Sequence, residues 1–283
     1  MPNPGAVRKG RRAQIDMDFS DTQIQRYARH ILLREVGGEG QARLLDSSVL
    51  VVGAGGLGSP LLLYLAAAGV GTIGVVDGDD VDLTNLQRQV VHATADVGRP
   101  KVESARDTIA AINPDVRVHA HHENVDAENA LALISKYDIV ADGSDNFPTR
   151  FLVNDACFLR EKTLVSGAIL RFDAQLATFK AHMRRANGDH GPCYRCLIGE
   201  PPQGPIPSCA EAGVLGALCG MVGSLQATEV LKELLGIGDS LSGFLLVMDA
   251  LSATIRKIKV KRDPSCPLCG DRPTIRDLSA HAG

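Results

Sequence analysis

Short, strongly apolar runs alternate with longer segments of helical periodicity through the middle of this 283-residue chain. SVLVVG (48–53) precedes LGSPLLLYLAAAG, TIGVVD (72–77) precedes PKVESARDTIAAI, VRVHAH (116–121) precedes AENALALISK, and YDIVADGSD (137–145) closes the series. Apolar runs without polar alternation suit strands buried on both faces, and the segments between them are long enough for crossover helices. This βαβαβαβ order predicts an α/β fold: a doubly wound, Rossmann-like, mostly parallel sheet with helices on both faces. Upstream, Ser20 or Asp21 can cap a helix through IQRYARHILL, where Ile24, Tyr27, Ile31 and Leu32 recur at helical spacing and Arg26 and Arg29 fall near one another. Downstream, VNDACFLREK reads as a helix, TLVSG as a strand, the stretch around RFDAQLATFK as a longer strand pair, and about 213–235 as a long helix. LSGFLLVMDA and TIRKIKV can then form a hairpin that adds antiparallel strands on the C-terminal side. Residues 1–19 are expected to be a disordered or loosely attached arm, and 20–283, which has no Pro/Ser-rich linker, a single domain.

Hydrophobic residues at 45% and charged residues at 22% describe an ordinary globular chain rather than a disordered or fibrous one. A net charge of -3 gives no electrostatic reason to expect a nucleic-acid or anionic-membrane partner. The basic N-terminus lacks the apolar core of a secretory signal, and no later apolar run can span a bilayer. A cytoplasmic location is expected.

In VVGAGGLGSP, Gly53, Gly55 and Gly58 stand where an apolar strand meets an apolar helix, the arrangement that brings phosphate oxygens to backbone N–H groups at a helix N-terminus. Asp77 ends the next strand and can accept hydrogen bonds from ribose hydroxyls. So far this suits an NAD-dependent dehydrogenase equally well. The loop Thr84, Asn85, Leu86, Gln87, Arg88 and Gln89, followed by Lys101, adds more donors and positive charge than a dinucleotide needs, and suits ATP losing pyrophosphate. Asp145 and Asn146, just past the strand YDIVAD, complete the set: the carboxylate can hold Mg2+ and the amide can orient the nucleotide.

Four of the seven cysteines form two Cys-x-x-Cys pairs, Cys193/Cys196 and Cys266/Cys269, which supply the four thiolates of a closed structural Zn2+ site and suit a reducing compartment. A redox role is the alternative for such pairs. Cys193 and Cys196 open a Gly/Pro-rich segment, 190–213, that reads as a long surface loop and also holds Cys209. Cys157 and Cys219 sit in apolar helical surroundings and read as core, and His121 and His122 as packing or surface residues.

The segments RYARHILL, VGAGGLGSP, VVDGDDVDLTNLQRQ, VGRPKVESA, DGSDN, CYRC, SCAEAGV and CPLCG together resemble the E1-like ThiF/MoeB/HesA family of adenylyltransferases over roughly residues 20–270, most closely its molybdopterin-synthase (MoeB) branch. The resemblance implies ATP-dependent adenylation of the C-terminal Gly-Gly carboxylate of a small ubiquitin-like sulfur-carrier protein, in molybdenum cofactor biosynthesis or, alternatively, on the thiamine pathway. It implies that the glycine turn, including Gly56, and Asp77 hold the nucleotide, that Asn85, Arg88 and Lys101 contact phosphates, and that Asp145 is the magnesium residue. It further implies a homodimer in which Arg29 reaches the neighbouring site, and a role for Cys209 as a thioester or acyl-disulfide residue in some members but not others. RYARH departs from the usual RYNRQ or RYSRQ in its third and fifth residues and keeps both arginines. Sulfur is expected from a separate donor protein. A catalytically silent nucleotide-binding scaffold would be expected to have lost one of these positions, and none is lost.

Overall fold

The computed structural model describes residues 18–184, 190–200 and 212–282. Cys209 and most of the N-terminal arm lie outside the described residues. Eight strands form one sheet: β1 (Ser48–Val52), β2 (Thr72–Val76), β3 (Arg117–His121), β4 (Ile139–Asp142), β5 (Thr163–Leu170), β6 (Asp173–Phe179), β7 (Phe244–Asp249) and β8 (Thr254–Lys259). Their spatial order is β3-β2-β1-β4-β5-β6-β7-β8, parallel from β3 to β5 and antiparallel from β5 to β8. The predicted mixture of a parallel half and a C-terminal antiparallel half is therefore the one observed.

The two-sided burial of the central strands follows from their side-chain alternation. Val49 and Val51 of β1 pack into one apolar cluster and Leu50 and Val52 into the other. The first cluster takes in helices α3 (Gly58–Ala68), α4 (Lys101–Ile112) and α8 (Gly216–Leu235), which packs against α3, β5 and β6; the second takes in the short α5 (Ala130–Ile134) and α6 (Phe147–Leu159). α5 is shorter than the periodicity of AENALALISK predicts, because the carboxylate of Asp126 caps the N–H groups of Glu128 and Asn129 and the Asn129 side chain is tied back to Asn124 O. α8 begins at Gly216 rather than Gly213, which has a φ of +78°. The outer strand β8 is exposed along its whole length and rich in Lys and Arg, a composition that discourages edge-to-edge pairing.

α1 (Asp21–Ile31) starts at Ser20 with a reciprocal capping box to Gln23. α2 (Gly37–Asp46) was not legible as a helix, since GGEGQARLLD has too few apolar positions to show a period. What holds α1 and α2 is polar. The Gln41 amide, wholly buried, donates to Ala68 O (3.0 Å), and Asn113 donates to both the Tyr27 hydroxyl (2.9 Å) and Ala66 O (2.8 Å). Tyr27 lies over Gly69, where a Cβ would stand 2.6 Å from its ring, and Gly69 itself has a φ of +83°. α7 (Tyr194–Ile198) completes the helices used below.

Replacing Asn113 by Ala leaves Ala66 O and the Tyr27 hydroxyl buried without this partner. We expect a loss of about 1–3 kcal/mol in urea unfolding, with weakened amide protection across α1 in hydrogen exchange.

Candidate active site

The chain leaves β1 toward β2 and β3 on one side, while β4 and β5 lie on the other, so a crevice opens between the carboxyl ends of β1 and β4. The turn after β1 is shaped by contacts that admit no side chain. Gly53 has a φ of +89°, and a Cβ on Gly58 would stand 1.8 Å from Gly53 O. The Ala54 N–H donates to Asp77 Oδ2 at 2.8 Å, and the Asp79 N–H to Asp77 Oδ1 at 2.9 Å, so this carboxylate braces the turn. His92 Nε2 lies 3.0 Å from Ala54 O. Burial lowers the His92 pKa, which favours a neutral ring that donates here.

Gly53, Gly55, Gly56, Asp77, Arg88, Lys101 and Asp145 all line this one cavity. Lys101, the first residue of α4, is only 4% exposed, and its Nζ lies 2.6 Å from Asp79 Oδ2 and 3.9 Å from Asp77 Oδ1. Arg88 is steered by Asn85, whose Oδ1 accepts from Nη2 at 2.9 Å. Thr84 is exposed and donates to Asp82, while Leu86 and Gln87 lie on the supporting loop outside the cavity lining. Asn146 caps α6 through Thr149 N and borders the adjoining groove of Asp77, Asn124 and Asp145. Arg29 is exposed on α1, which packs at the far end of α3, eleven residues and so about 16 Å of helical rise from the glycine turn.

Further residues of the cavity were not singled out from sequence. Gln89 Oε1 and Ser144 Oγ are buried there with no partner among the described residues, as polar atoms awaiting a ligand would be. Gln89 shares the TNLQRQ loop with Arg88, which was a usable signal. Arg150 and Cys219 carried none: the first follows an ordinary turn and the second reads as core. Cys219 is indeed buried, but its Sγ also forms part of the crevice wall, 3.1 Å from where a Cβ on Gly56 would lie. A second groove, lined by Phe147, Leu170, Asp173, Tyr194 and Ile198, shares Asp145, Arg150 and Ile169 with the crevice.

Away from the crevice, the Sγ atoms of Cys193, Cys196, Cys266 and Cys269 lie within 4.8 Å of one another. The closest pairs stand 3.4, 3.6 and 4.0 Å apart. Four thiolates around one zinc at the usual 2.3 Å bond would be about 3.8 Å apart, so the donor set and spacing fit the metal. The cluster is braced by the buried carboxylate of Asp155, which accepts two bonds from Arg195 Nε and Nη2 and stands 2.8 Å from His281 Nε2. Cys157 is buried as expected, and His121 sits 3.0 Å from the Tyr137 hydroxyl. No helix among the described residues is long and apolar enough to cross a membrane.

The model of the ThiF family matches residues 27–268. The chain is 55% identical over 263 residues to the sulfur carrier protein adenylyltransferase of Thermus thermophilus, covering 93% of this chain and 96% of that one. It is 50% identical to the SAMP-activating enzyme E1 of Haloferax volcanii, covering 91% and 93%. It is 52% identical to the probable adenylyltransferase/sulfurtransferase MoeZ of Mycobacterium tuberculosis, covering 88% of this chain but 63% of that longer one. Among solved structures, E. coli MccB with MccA-N7isoASN superposes with a TM-score of 0.75 at 21% identity, over 90% of this chain and 76% of that one, a likeness of fold. The chain belongs to the ThiF family and is an adenylyltransferase.

Proposed function

We propose that the crevice binds ATP and adenylates the C-terminal Gly-Gly carboxylate of a ubiquitin-like sulfur-carrier protein, of the molybdopterin-synthase type that the chain's motifs resemble. The observation that carries this reading is the convergence of Arg88, Lys101 and Asp145 on the glycine turn in one cavity. A carboxylate oxygen of the carrier attacks the α-phosphorus, the bond from that phosphorus to the β-bridging oxygen breaks, and pyrophosphate leaves. The carboxylate is already ionised at neutral pH, so no strong base is needed. The work is alignment and neutralisation of charge on the leaving pyrophosphate. Arg88 and Lys101 supply that positive charge, and the buried ammonium of Lys101 exchanges its bond to the exposed Asp79 for phosphate oxygens. Asp145 and Asp79 present hard oxygen donors to the same space, a set that fits Mg2+, which when bound would offset negative charge on the departing pyrophosphate.

The four cysteines hold Zn2+ as a structural ion with no open position, pinning the C-terminal segment to α7. We further read Arg29, exposed and remote from its own crevice, as a residue that completes the site of a second copy in a homodimer, and Cys209 as a residue for covalent carrier chemistry after activation.

Four outcomes test these assignments. R88A and K101A should keep their fold and lose carrier-dependent ATP–pyrophosphate exchange by about 10³-fold or more, and near-normal exchange in both would overturn the function. The molybdopterin-type and thiamine-type carriers should be run side by side, the first being the better substrate. Mixing inactive R29A with inactive K101A chains should restore about a quarter of wild-type activity, because each mixed dimer regains one complete site; no recovery after confirmed exchange of chains would remove Arg29 from the site. Elemental analysis should find one zinc ion per wild-type chain and none in C266S, whose melting temperature should fall while ATP binding stays in place.

A further inference from the structure

Arg150 sits on the seam between the nucleotide crevice and the groove of Phe147 and Tyr194, and lines both. It is only 9% exposed, yet it forms no ion pair with any carboxylate among the described residues. A buried cation without a counter-ion is costly, and such groups persist where a ligand supplies the missing charge. Its partners hold it in place without neutralising it. Nε and Nη2 both donate to Ser144 O, at 3.2 and 2.7 Å, and the guanidinium lies 5.9 Å from the centre of the Phe147 ring, with the Tyr194 hydroxyl beside it. A guanidinium carries five N–H groups, so donors remain after Ser144 O has taken two.

The reaction sets a particular problem at this seam. The attacking group is a carboxylate and its target is a polyanion, and the two repel as they approach. Lys101 and Arg88 lie in the crevice but not in the groove, whereas Arg150 belongs to both.

We propose that Arg150 is the receptor for the carrier's terminal carboxylate, taking it from the groove and holding it against the α-phosphate. The inference rests on the adenylation reading above and adds to it the residue that recognises the nucleophile. The same bonds to Ser144 O fix the backbone just before Asp145, so one side chain registers the carboxylate against the residue proposed to hold Mg2+.

The test compares two forms of the carrier, one ending in the Gly-Gly carboxylate and one ending in Gly-Gly amide, binding to wild-type, R150Q and R150K proteins saturated with a non-hydrolysable ATP analogue. The wild type should bind the carboxylate form about 10- to 100-fold more tightly than the amide. R150Q should lose that preference while its affinity for ATP falls by a much smaller factor. R150K should lose most of it, because an ammonium keeps the charge but lacks the planar fork that can grip a carboxylate with two parallel N–H bonds while Ser144 O is still held. If R150Q does not fold, R150K carries the result. Full preference retained in the variant, or ATP affinity falling as far as carrier affinity, would show that Arg150 only braces the turn and would overturn the proposal. With the wild-type preference and pyrophosphate exchange intact, such a result speaks against Arg150 alone; absence of any preference in the wild type would likewise overturn the receptor, whereas the adenylation reading falls only if the wild type shows no carrier-dependent pyrophosphate exchange.

Discussion

The oxygen of Gly53 occupies the space where a side chain on residue 58 would begin, 1.8 Å from an ideal Cβ. This contact lets β1 turn directly into α3, and much of the site is arranged around it. The N–H of Ala54 inside the turn is taken by Asp77, whose other oxygen orders the start of the next loop at Asp79. Gly143 closes the turn from the β4 side, with its own Cβ position 3.2 Å from Gly58 N, so the two central strands end at the same level and leave the crevice between them. A methyl group at Gly58 would have to push apart backbone from backbone, where no flexible side chain can yield.

Around that turn the charges are arranged unequally. Lys101 is buried but paired with Asp79, whose side chain is mostly exposed, so its partner can be exchanged at little cost in desolvation. Arg150, also buried, has no carboxylate partner among the described residues and is held by the neutral oxygen of Ser144 and the face of Phe147. The α1–α2 unit at the opposite end is attached by the buried amides of Gln41 and Asn113, with Arg26 and Arg43 donating to the carbonyls of Ile112 and Leu235. Polar contacts of this kind fix one orientation, because each donor left unmade inside the protein costs more than the bond contributes when made.

The cysteine cluster performs a similar task for the C-terminus. Its two halves are separated by sixty-nine residues that include α8, β7 and β8, so a metal there would close a long loop around the antiparallel half of the sheet. Asp155, Arg195 and His281 tie α6, α7 and the last residues together beside it. The chain's end is thereby anchored to the helix that follows the DGSDN turn of the crevice.

Local pattern was enough to determine the strand and helix order, the parallel-to-antiparallel change and the four-cysteine set, because each depends on periodicity or short spacing that a single segment carries. The glycine turn, Asp77, Arg88, Lys101 and Asp145 stand out in the sequence by residue type and spacing, and the fold brings them to one crevice. α2 was not legible, because what makes it a helix is a buried glutamine bonded to the end of α3 rather than an apolar stripe. Nor was it legible that Gln89, although it belongs to the TNLQRQ loop, shares a cavity with Ser144 and Arg150. A glutamine, a serine and an arginine look alike in sequence whether solvated or buried, and only the meeting of β1, β4, β5 and α6 decides which polar atoms end up in a crevice without a partner.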